Sequence, residues 1–429
     1  MQKLARSVLP GLLFMSQLFT AKSAWAAAGS LDPTFGSGGV TVTTLVTAGQ
    51  NSGVIPYSVK LQPDGKILIL LNAINGPSAT EVLRYTSTGA LDATFGTDGI
   101  AVVPTAMSTF ETMALESDGQ VVIAGEVTDP ATGAAAFGVQ RLNSNGSPDT
   151  TFGKDGLAVA SLGFPGTQGV LLIQPNGDIL FGGQLEPVGR RQPFHTALAR
   201  FTSTGAPDVT FGNGGTVNVS AVGGCTALAL LSSGEIQVVD AHAIAQFTSN
   251  GVLEPTATGG LLVESAGSGA PSTASAFQPN GDYLLGDMLF VGLESRGHNA
   301  SAQVLRFTST GIPDSTFANP SFHFVGAGGS GIEATPNAIA VQSNGDIMVV
   351  GEQSTITSAG TVIVNGLARL TPTGSLDPTF GSNGTVANSI PSGTQGLSGV
   401  AIQPTDGRIV TIGTANNYTQ LVVSRYLAQ

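Results

Sequence analysis

The sequence has few residues that could cross-link the fold or bind nucleic acid. Among 429 residues there are one cysteine, Cys225, one tryptophan, Trp25, and four histidines, and only 10% are charged. A single cysteine cannot form an intramolecular disulfide, so the fold must depend on burial and hydrogen bonding. Lysine and arginine total 16 against 28 acidic residues. No basic patch suited to phosphate is visible, which argues against nucleic acid as a partner.

The chain also lacks an apolar run that could cross a membrane, which takes roughly 20 residues. The longest candidate, residues 8–19, is shorter and is interrupted by proline and polar residues. It follows Lys3 and Arg6 and precedes a run of small residues, a pattern typical of a secretory signal peptide. We therefore expect cleavage near Ala26–Ala28, no membrane span, and a protein located in the periplasm or outside the cell.

Recognisable catalytic and metal-binding motifs are missing as well. Removal of residues 1–28 would leave 13 basic and 28 acidic side chains, a net charge of −15 that favours solubility. The sequence contains no G-x-S-x-G, H-E-x-x-H, C-x-x-C or P-loop motif. Its many D-G turns, and the segment that starts at Asp129, lack the ligand series of a calcium loop and are typical of hairpins. No cofactor is predicted, and calcium is unsupported.

What the sequence does contain is a repeat of about 60 residues. A D-x-T-F-G-like element recurs at intervals of 46 to 63 residues, and a second element of the form QPDGKILIL accompanies it. The first begins at Asp32, Asp92, Asp149, Asp208, Asp314 and Asp377, with a decayed copy at Glu254. The second places its glycine at Gly65, Gly119, Gly177, Gly234, Gly281, Gly345 and Gly407. One unit is therefore repeated seven times.

Each unit contains four short strand-like segments, here called a to d, separated by D-G and N-G turns. Seven such units predict an all-β fold, a seven-bladed β-propeller of four-stranded antiparallel blades. A solenoid is the alternative, but it would need polar capping units. The termini favour the propeller, because residues 40–45 supply only a strand d and the C-terminal unit lacks one. We expect Val40 to Leu45 to pair with Leu421 to Tyr426 and to close the ring by completing the last blade.

The predicted domain organisation is a signal peptide at 1–28 and a single propeller domain at 29–429. The units are called repeats 1 to 7. Their predicted bounds are 54–104 for repeat 1, 107–161 for repeat 2, 167–219 for repeat 3, 224–264 for repeat 4, 270–325 for repeat 5, 333–388 for repeat 6, and 396–429 with the outer strand 31–46 for repeat 7.

The segments QPDGKI, RYTSTG and LDxTFGxxG resemble the bacterial delta-60 repeats, a β-propeller family without an established biochemical role. The resemblance covers residues 31–429. It implies the fold and a bacterial origin, and it implies neither a substrate nor catalytic residues.

Strand c carries an arginine in six repeats, and an aspartate follows eight residues later in five of them. In repeat 4 the two positions hold Gln246 and Glu254, and the neighbouring phenylalanine and glycine are lost together. This joint decay predicts one cluster per repeat, in which arginine binds the aspartate beside the phenylalanine. The alternative is a ring of carboxylates that binds metal. The predicted pairs are Arg84–Asp92, Arg141–Asp149, Arg200–Asp208, Arg306–Asp314, Arg369–Asp377 and Arg425–Asp32, the last across the termini.

The a–b and c–d turns should emerge on one side of the sheets, here called the turn face, and they are nearly uniform. The b–c and d–a connections form the opposite side, the variable face, and differ in length and chemistry, which is typical of a functional surface. Histidines and non-repeat arginines concentrate in its b–c connections. The candidate ligand-binding residues are Arg190, Arg191, His195, Asp240, His242, Arg296 and His298. They would receive an anionic or sugar-like ligand, and the alternative is that they are solvated loop tips.

The sequence thus predicts a monomeric, exported, non-catalytic scaffold that presents the variable face to a protein or a glycan. The alternative is a hydrolase or lactonase with a metal in the central funnel. The inner strand starts are mostly apolar or small, with Glu111 the lone acid, whereas a metal site needs several converging ligands.

Overall fold

The computed structural model describes residues 27–45, 53–74, 80–103, 107–162, 165–185, 195–219, 225–239, 244–254, 274–294, 297–324, 330–357, 360–387, 394–416 and 418–429. All the regular elements in these ranges are β-strands, which confirms the all-β prediction for this part of the chain. The same ranges contain no helix that could span a membrane.

The strands follow the repeats, four to a repeat except in repeat 4, where three are described. The first is β1 (Val40–Thr44). Repeat 1 contains β2 (Gly53–Leu61), β3 (Ile67–Ile74), β4 (Thr80–Tyr85) and β5 (Ile100–Val102). Repeat 2 contains β6 (Met107–Leu115), β7 (Val121–Thr128), β8 (Ala135–Leu142) and β9 (Leu157–Ala160). Repeat 3 contains β10 (Pro165–Ile173), β11 (Ile179–Leu185), β12 (His195–Phe201) and β13 (Thr216–Val219).

The second half of the chain continues the pattern, with longer hairpins in repeats 5 and 6. Repeat 4 contains β14 (Ala227–Leu230), β15 (Ile236–Val239) and β16 (Ile244–Phe247). Repeat 5 contains β17 (Ser275–Phe277), β18 (Tyr283–Glu294), β19 (Gly297–Phe307) and β20 (Ser321–Phe322). Repeat 6 contains β21 (Ser330–Val341), β22 (Ile347–Thr357), β23 (Gly360–Leu370) and β24 (Thr385–Ala387). Repeat 7 contains β25 (Thr394–Ile402), β26 (Ile409–Ala415) and β27 (Gln420–Tyr426).

Within each repeat the strands pair antiparallel in sequence order. Repeats 5 and 6 share one eight-stranded sheet, because a single parallel bridge joins Ala300 to Glu333. The last sheet has the order β1-β27-β26-β25, so the first described strand is its outer member. Val40 lies opposite Ser424 in this pairing. The N-terminal strand therefore supplies the fourth strand of repeat 7.

The core lies between neighbouring sheets, because strand b is apolar on both faces. Side chains alternate between the two faces of a strand. In β3, Leu68 and Leu70 pack with the second and third strands of repeat 2. The alternate residues Ile67 and Ile69 pack with β26 and β27 of repeat 7. Each sheet is thus buried on both sides by its neighbours, and the first and last repeats share a core.

Candidate functional site: the Arg–Asp clusters

The D-x-T-F-G element builds the same cluster in six repeats. The arginine Nε donates to the aspartate Oδ2 at 2.7 to 2.9 Å in each of them. The threonine hydroxyl donates to the other carboxylate oxygen at 2.6 to 2.7 Å. The guanidinium carbon lies 4.5 to 4.8 Å from the centre of the phenylalanine ring. Every polar position of the motif therefore has a structural partner.

These contacts keep the aspartates ionised. Hydrogen bonds from Thr94, together with the charges of Arg84 and Lys66, lower the pKa of Asp92 to about 2, against the opposing effect of burial. For Asp32, burial raises the pKa, but Thr34, Arg425 and Arg408 more than offset it and the pKa is lowered. A carboxylate that accepts several hydrogen bonds in its charged form is stabilised in that form.

The glycine of the motif adds a backbone link to the next repeat. Gly96 has a φ of +55°, and a Cβ there would lie 2.1 Å from the carbonyl oxygen of Ile100. Its amide donates to the carbonyl of Asn145 in repeat 2 at 2.8 Å. Repeat 5 carries Ala318 at this position, and its outer strand β20 is only two residues long. Glycine is thus required where the turn has this positive φ and lies this close to the following strand.

The arginines also connect the repeats. In six repeats the arginine Nη1 donates to a backbone carbonyl of the following repeat at 2.8 Å or less. The accepting residues are Ser144, Ser203, Ser249, Pro372, Ala428 and Ser87. The last link runs from Arg425 in repeat 7 to Ser87 in repeat 1. Arg425 also binds Asp32 at 2.8 Å, so the two termini meet in a cluster like those inside the chain.

Candidate functional site: the central cavity and its rim

The predicted ligand-binding set lies mostly beyond the described residues. Those outside them are Arg190, Arg191, Asp240, His242 and Arg296. His298 is described only through its backbone pairing with Leu293. His195 begins β12 opposite Leu185 and is half-buried. The described residues therefore do not test whether this set converges.

A different site is well defined, a cavity of about 740 Å³ here called the central cavity. The inner strands of all seven repeats, or the residues just before them, contribute to its wall. Its polar residues include Ser58, Thr112, Thr226, Ser275, Asn337 and Ser398. Hydrogen bonds join neighbouring repeats in this wall. The Ser275 hydroxyl donates to the carbonyl of Thr226 at 3.1 Å, and the Asn337 side-chain amide donates to the carbonyl of Leu397 at 2.9 Å. All seven repeats thus contribute to one cavity with polar and apolar walls.

Lys60 is the one lysine or arginine in the described wall of this cavity. Its side chain is exposed to solvent within the cavity, and the inner strands around it displace part of its hydration, which lowers the pKa of its amine. The ammonium form loses hydration in such a site, which favours the neutral form. Sequence reasoning missed Lys60, because only carboxylates, histidines and asparagines on the inner strands were expected to form a site.

β-Bulges shape the same wall. The pairing of the inner strand shifts around Tyr57, Glu111, Asn337 and Ser398, each five residues before the glutamine or glutamate that starts the a–b turn. A bulge re-aims a side chain and often accompanies a functional site. Tyr57, Asn337 and Ser398 line the central cavity. The lone acid of the inner strands, Glu111, occupies the equivalent backbone position.

A second cavity of about 390 Å³, here called the rim pocket, shares Ile55, Pro56, Asn337 and Ser398 with the central cavity. Its remaining wall comes from Glu352, Ile363, Gly396, Leu397, Thr414 and Tyr418. Ile363 and Tyr418 belong to the b–c hairpins of repeats 6 and 7, so the rim pocket lies on the variable face.

The rim pocket combines an acid with strained and apolar groups. Burial raises the pKa of Glu352. Tyr418 is 40% exposed and has a φ of +66°, which is unfavourable for a residue with a side chain. Leu397 is fixed at the base, because its amide donates to the Asn365 side chain at 3.1 Å. Such strain often marks functional sites.

Comparison with known proteins supports a β-propeller. Residues 62–95, 116–152 and 342–380 match a family described as "Domain of unknown function (DUF5122) beta-propeller". No curated protein matches the chain.

Solved structures resemble the chain only weakly. The polysaccharide lyase Uly1 is 11% identical over 87% of this chain and 90% of its own, with a TM-score of 0.42. A puromycin hydrolase is 13% identical over 86% of this chain and 52% of its own, with a TM-score of 0.44. A gluconolactonase from Xanthomonas campestris is 13% identical over 90% and 89%, with a TM-score of 0.37. Similarity at this level carries no argument about activity.

Proposed function

We propose that the chain is a seven-bladed β-propeller of the delta-60 repeat kind, closed by the N-terminal strand. The support is the continuity of the links between repeats. Six come from the arginines, and Gln237 of repeat 4 provides the seventh by donating to the Ser309 carbonyl at 2.7 Å. The shared core of repeats 1 and 7 and the pairing of β1 with β27 agree with closure.

On this scaffold, we propose an exported, non-catalytic binding protein whose variable face receives a protein or a glycan. One observation carries the proposal, the apolar hairpin tip of repeat 6. Ile356 and Ile363 are 44% and 51% exposed and lie on the same side of the hairpin, because Thr361 faces Ile356 and Ser354 faces Ile363. Ile363 also lines the rim pocket. Clustered exposed apolar groups beside a pocket are typical of a binding surface.

The alternative, a metal-dependent hydrolase or lactonase, fits the central cavity less well. The ionisable groups in its described wall are Lys60, Tyr57 and Cys225. An ammonium group in the cavity repels a metal cation and attracts an anion. The rim pocket has one carboxylate, Glu352.

The test is a glycan array together with capture of a stoichiometric protein partner, using the exported protein. We expect Ile356→Thr combined with Ile363→Thr to lose at least about tenfold in affinity, as expected when apolar anchors are removed. The matched control is Val209→Thr combined with Ile312→Thr, two exposed residues of the turn face that are 75% and 61% accessible. Equal losses in both double variants would contradict the proposal. Lactone hydrolysis with one bound metal per chain would establish the alternative.

A further inference from the structure

Lys60 occupies a position at which no other repeat carries a charge. Lys60 of strand a pairs with Leu68, the second residue of strand b. In every other repeat, the residue of strand a that pairs with the second residue of strand b is therefore the equivalent of Lys60. The other six residues at this position are Ala114, Leu172, Ala229, Ala276, Ala340 and Ala401. All six are half-buried. The scaffold therefore accommodates an aliphatic side chain here, and the lysine of repeat 1 has no structural counterpart.

The ammonium group of Lys60 is unpaired within the described residues. The ion pairs of this part of the chain involve Lys66 and seven arginines, and none of them includes Lys60. The side chain is exposed to solvent within the cavity, so its ammonium group is open to an incoming anion. The surrounding enclosure lowers the pKa of Lys60, and a bound carboxylate would raise it again.

Hydroxyl and amide groups line the same cavity as Lys60. Ser58 and Thr112 lie in the inner strands of repeats 1 and 2, and Ser275 and Asn337 in those of repeats 5 and 6. Several neutral donors and acceptors around one positive charge suit a ligand with one acidic group and several hydroxyls.

We propose that the central cavity binds a small hydroxylated carboxylate, such as a sugar acid, with Lys60 receiving the carboxylate and the surrounding polar side chains receiving the hydroxyls. The volume of about 740 Å³ lies within the usual range for small-molecule sites. The central cavity adjoins the rim pocket that Ile363 lines, but Lys60 does not line that pocket. The Lys60 variant and the isoleucine variants therefore test the two proposals separately.

The test is isothermal titration of the exported protein with galacturonate and gluconate, and with galactose and glucose as neutral counterparts. We expect the acids to bind at least about tenfold more tightly, a difference of about 1.4 kcal/mol, because a hydrogen bond to a charged group is stronger than one between neutral groups. Lys60→Ala should remove this preference and leave the affinity for the neutral sugars unchanged. It introduces the residue found in five of the other six repeats, so the variant should fold.

Lys154→Ala is the matched control, because Lys154 is an exposed lysine in the c–d turn of repeat 2. It should bind all four sugars as the wild type does. The proposal is overturned if neither acid binds at millimolar concentration, if acids and neutral sugars bind equally, or if Lys60→Ala keeps the preference for acids.

Discussion

Repeat 4 and the other six repeats connect to their neighbours through different side chains. In the six, one arginine both pairs with an aspartate of its own repeat and donates to a carbonyl of the next. In repeat 4, Gln246 replaces the arginine and donates to Glu235 at 2.6 Å. The link to the next repeat comes instead from Gln237, which lies directly opposite Gln246 on the adjacent strand. Repeat 4 thus keeps the link between repeats without the ion pair.

The position of Gln237 indicates that this glutamine compensates for the arginine that repeat 4 lacks. The residues at the same register position in the other repeats are apolar, namely Leu68, Val122, Leu180, Leu284, Met348 and Val410. Gln237 is fully buried, where an amide costs less than a lysine or arginine without a counter-ion. The link between repeats is therefore the common requirement, and the Arg–Asp pair is one way of providing it.

The largest loss of stability is expected at the junction of the termini, where the Arg–Asp pair is the most buried of the six. The Asp32 side chain is 1% exposed and accepts from Arg425 at 2.8 Å and Arg408 at 3.0 Å. Asp32→Ala leaves a buried arginine without its carboxylate, and we expect a loss of about 3–5 kcal/mol in the free energy of unfolding. Urea denaturation measures it.

Asp314→Ala is the matched comparison, because the Asp314 side chain is 14% exposed and pairs with Arg306 alone. Its loss should be smaller, since solvent can hydrate the arginine that remains. If Asp32→Ala unfolds like the wild type, the junction does not stabilise the protein. If the two variants lose equally, burial does not set the strength of the pairs.

Acid should weaken the six paired repeats through their aspartates. The pKa of Asp92 is lowered from 3.8 to about 2, first by the Thr94 hydroxyl and also by Arg84. A depressed pKa means that the folded state binds the proton less readily than the unfolded state. The stability from Asp92 is therefore present above pH 3.8 and is lost as the pH falls through about 2.

The measurement is the urea midpoint between pH 5 and pH 2 for the wild type and Asp92→Asn. We expect the variant to be less stable at pH 5 and the two curves to approach each other near pH 2, because about half of the folded wild-type molecules then carry the proton and most of the stabilisation from the charge is lost. Curves that stay parallel over this range would show that the charge of Asp92 does not contribute.

The Arg–Asp pairs could be predicted from the sequence, because one c–d turn fixes the spacing of eight residues between the two side chains. The joint loss of Arg and Asp in repeat 4 also pointed to a cluster. Gln237 could not be predicted in the same way, since its relation to Gln246 depends on the register between two strands. Lys60 could have been found by aligning the repeats. Its proposed role depends on a cavity that forms only when the inner strands pack together. The Arg190 to His298 set remains a prediction.

The smallest expected effect concerns the substitute link itself. Gln237→Leu restores the apolar residue of the other repeats and removes the hydrogen bond to Ser309. We expect a cost of about 1 kcal/mol, the net value of one hydrogen bond. In a Gln246→Arg background the new guanidinium can reach the Ser309 carbonyl as the arginines of the other repeats reach theirs. The cost of Gln237→Leu should then approach zero, and a double-mutant cycle by urea denaturation measures this coupling. Strictly additive costs would mean that Gln237 and the arginines are not alternative forms of one link.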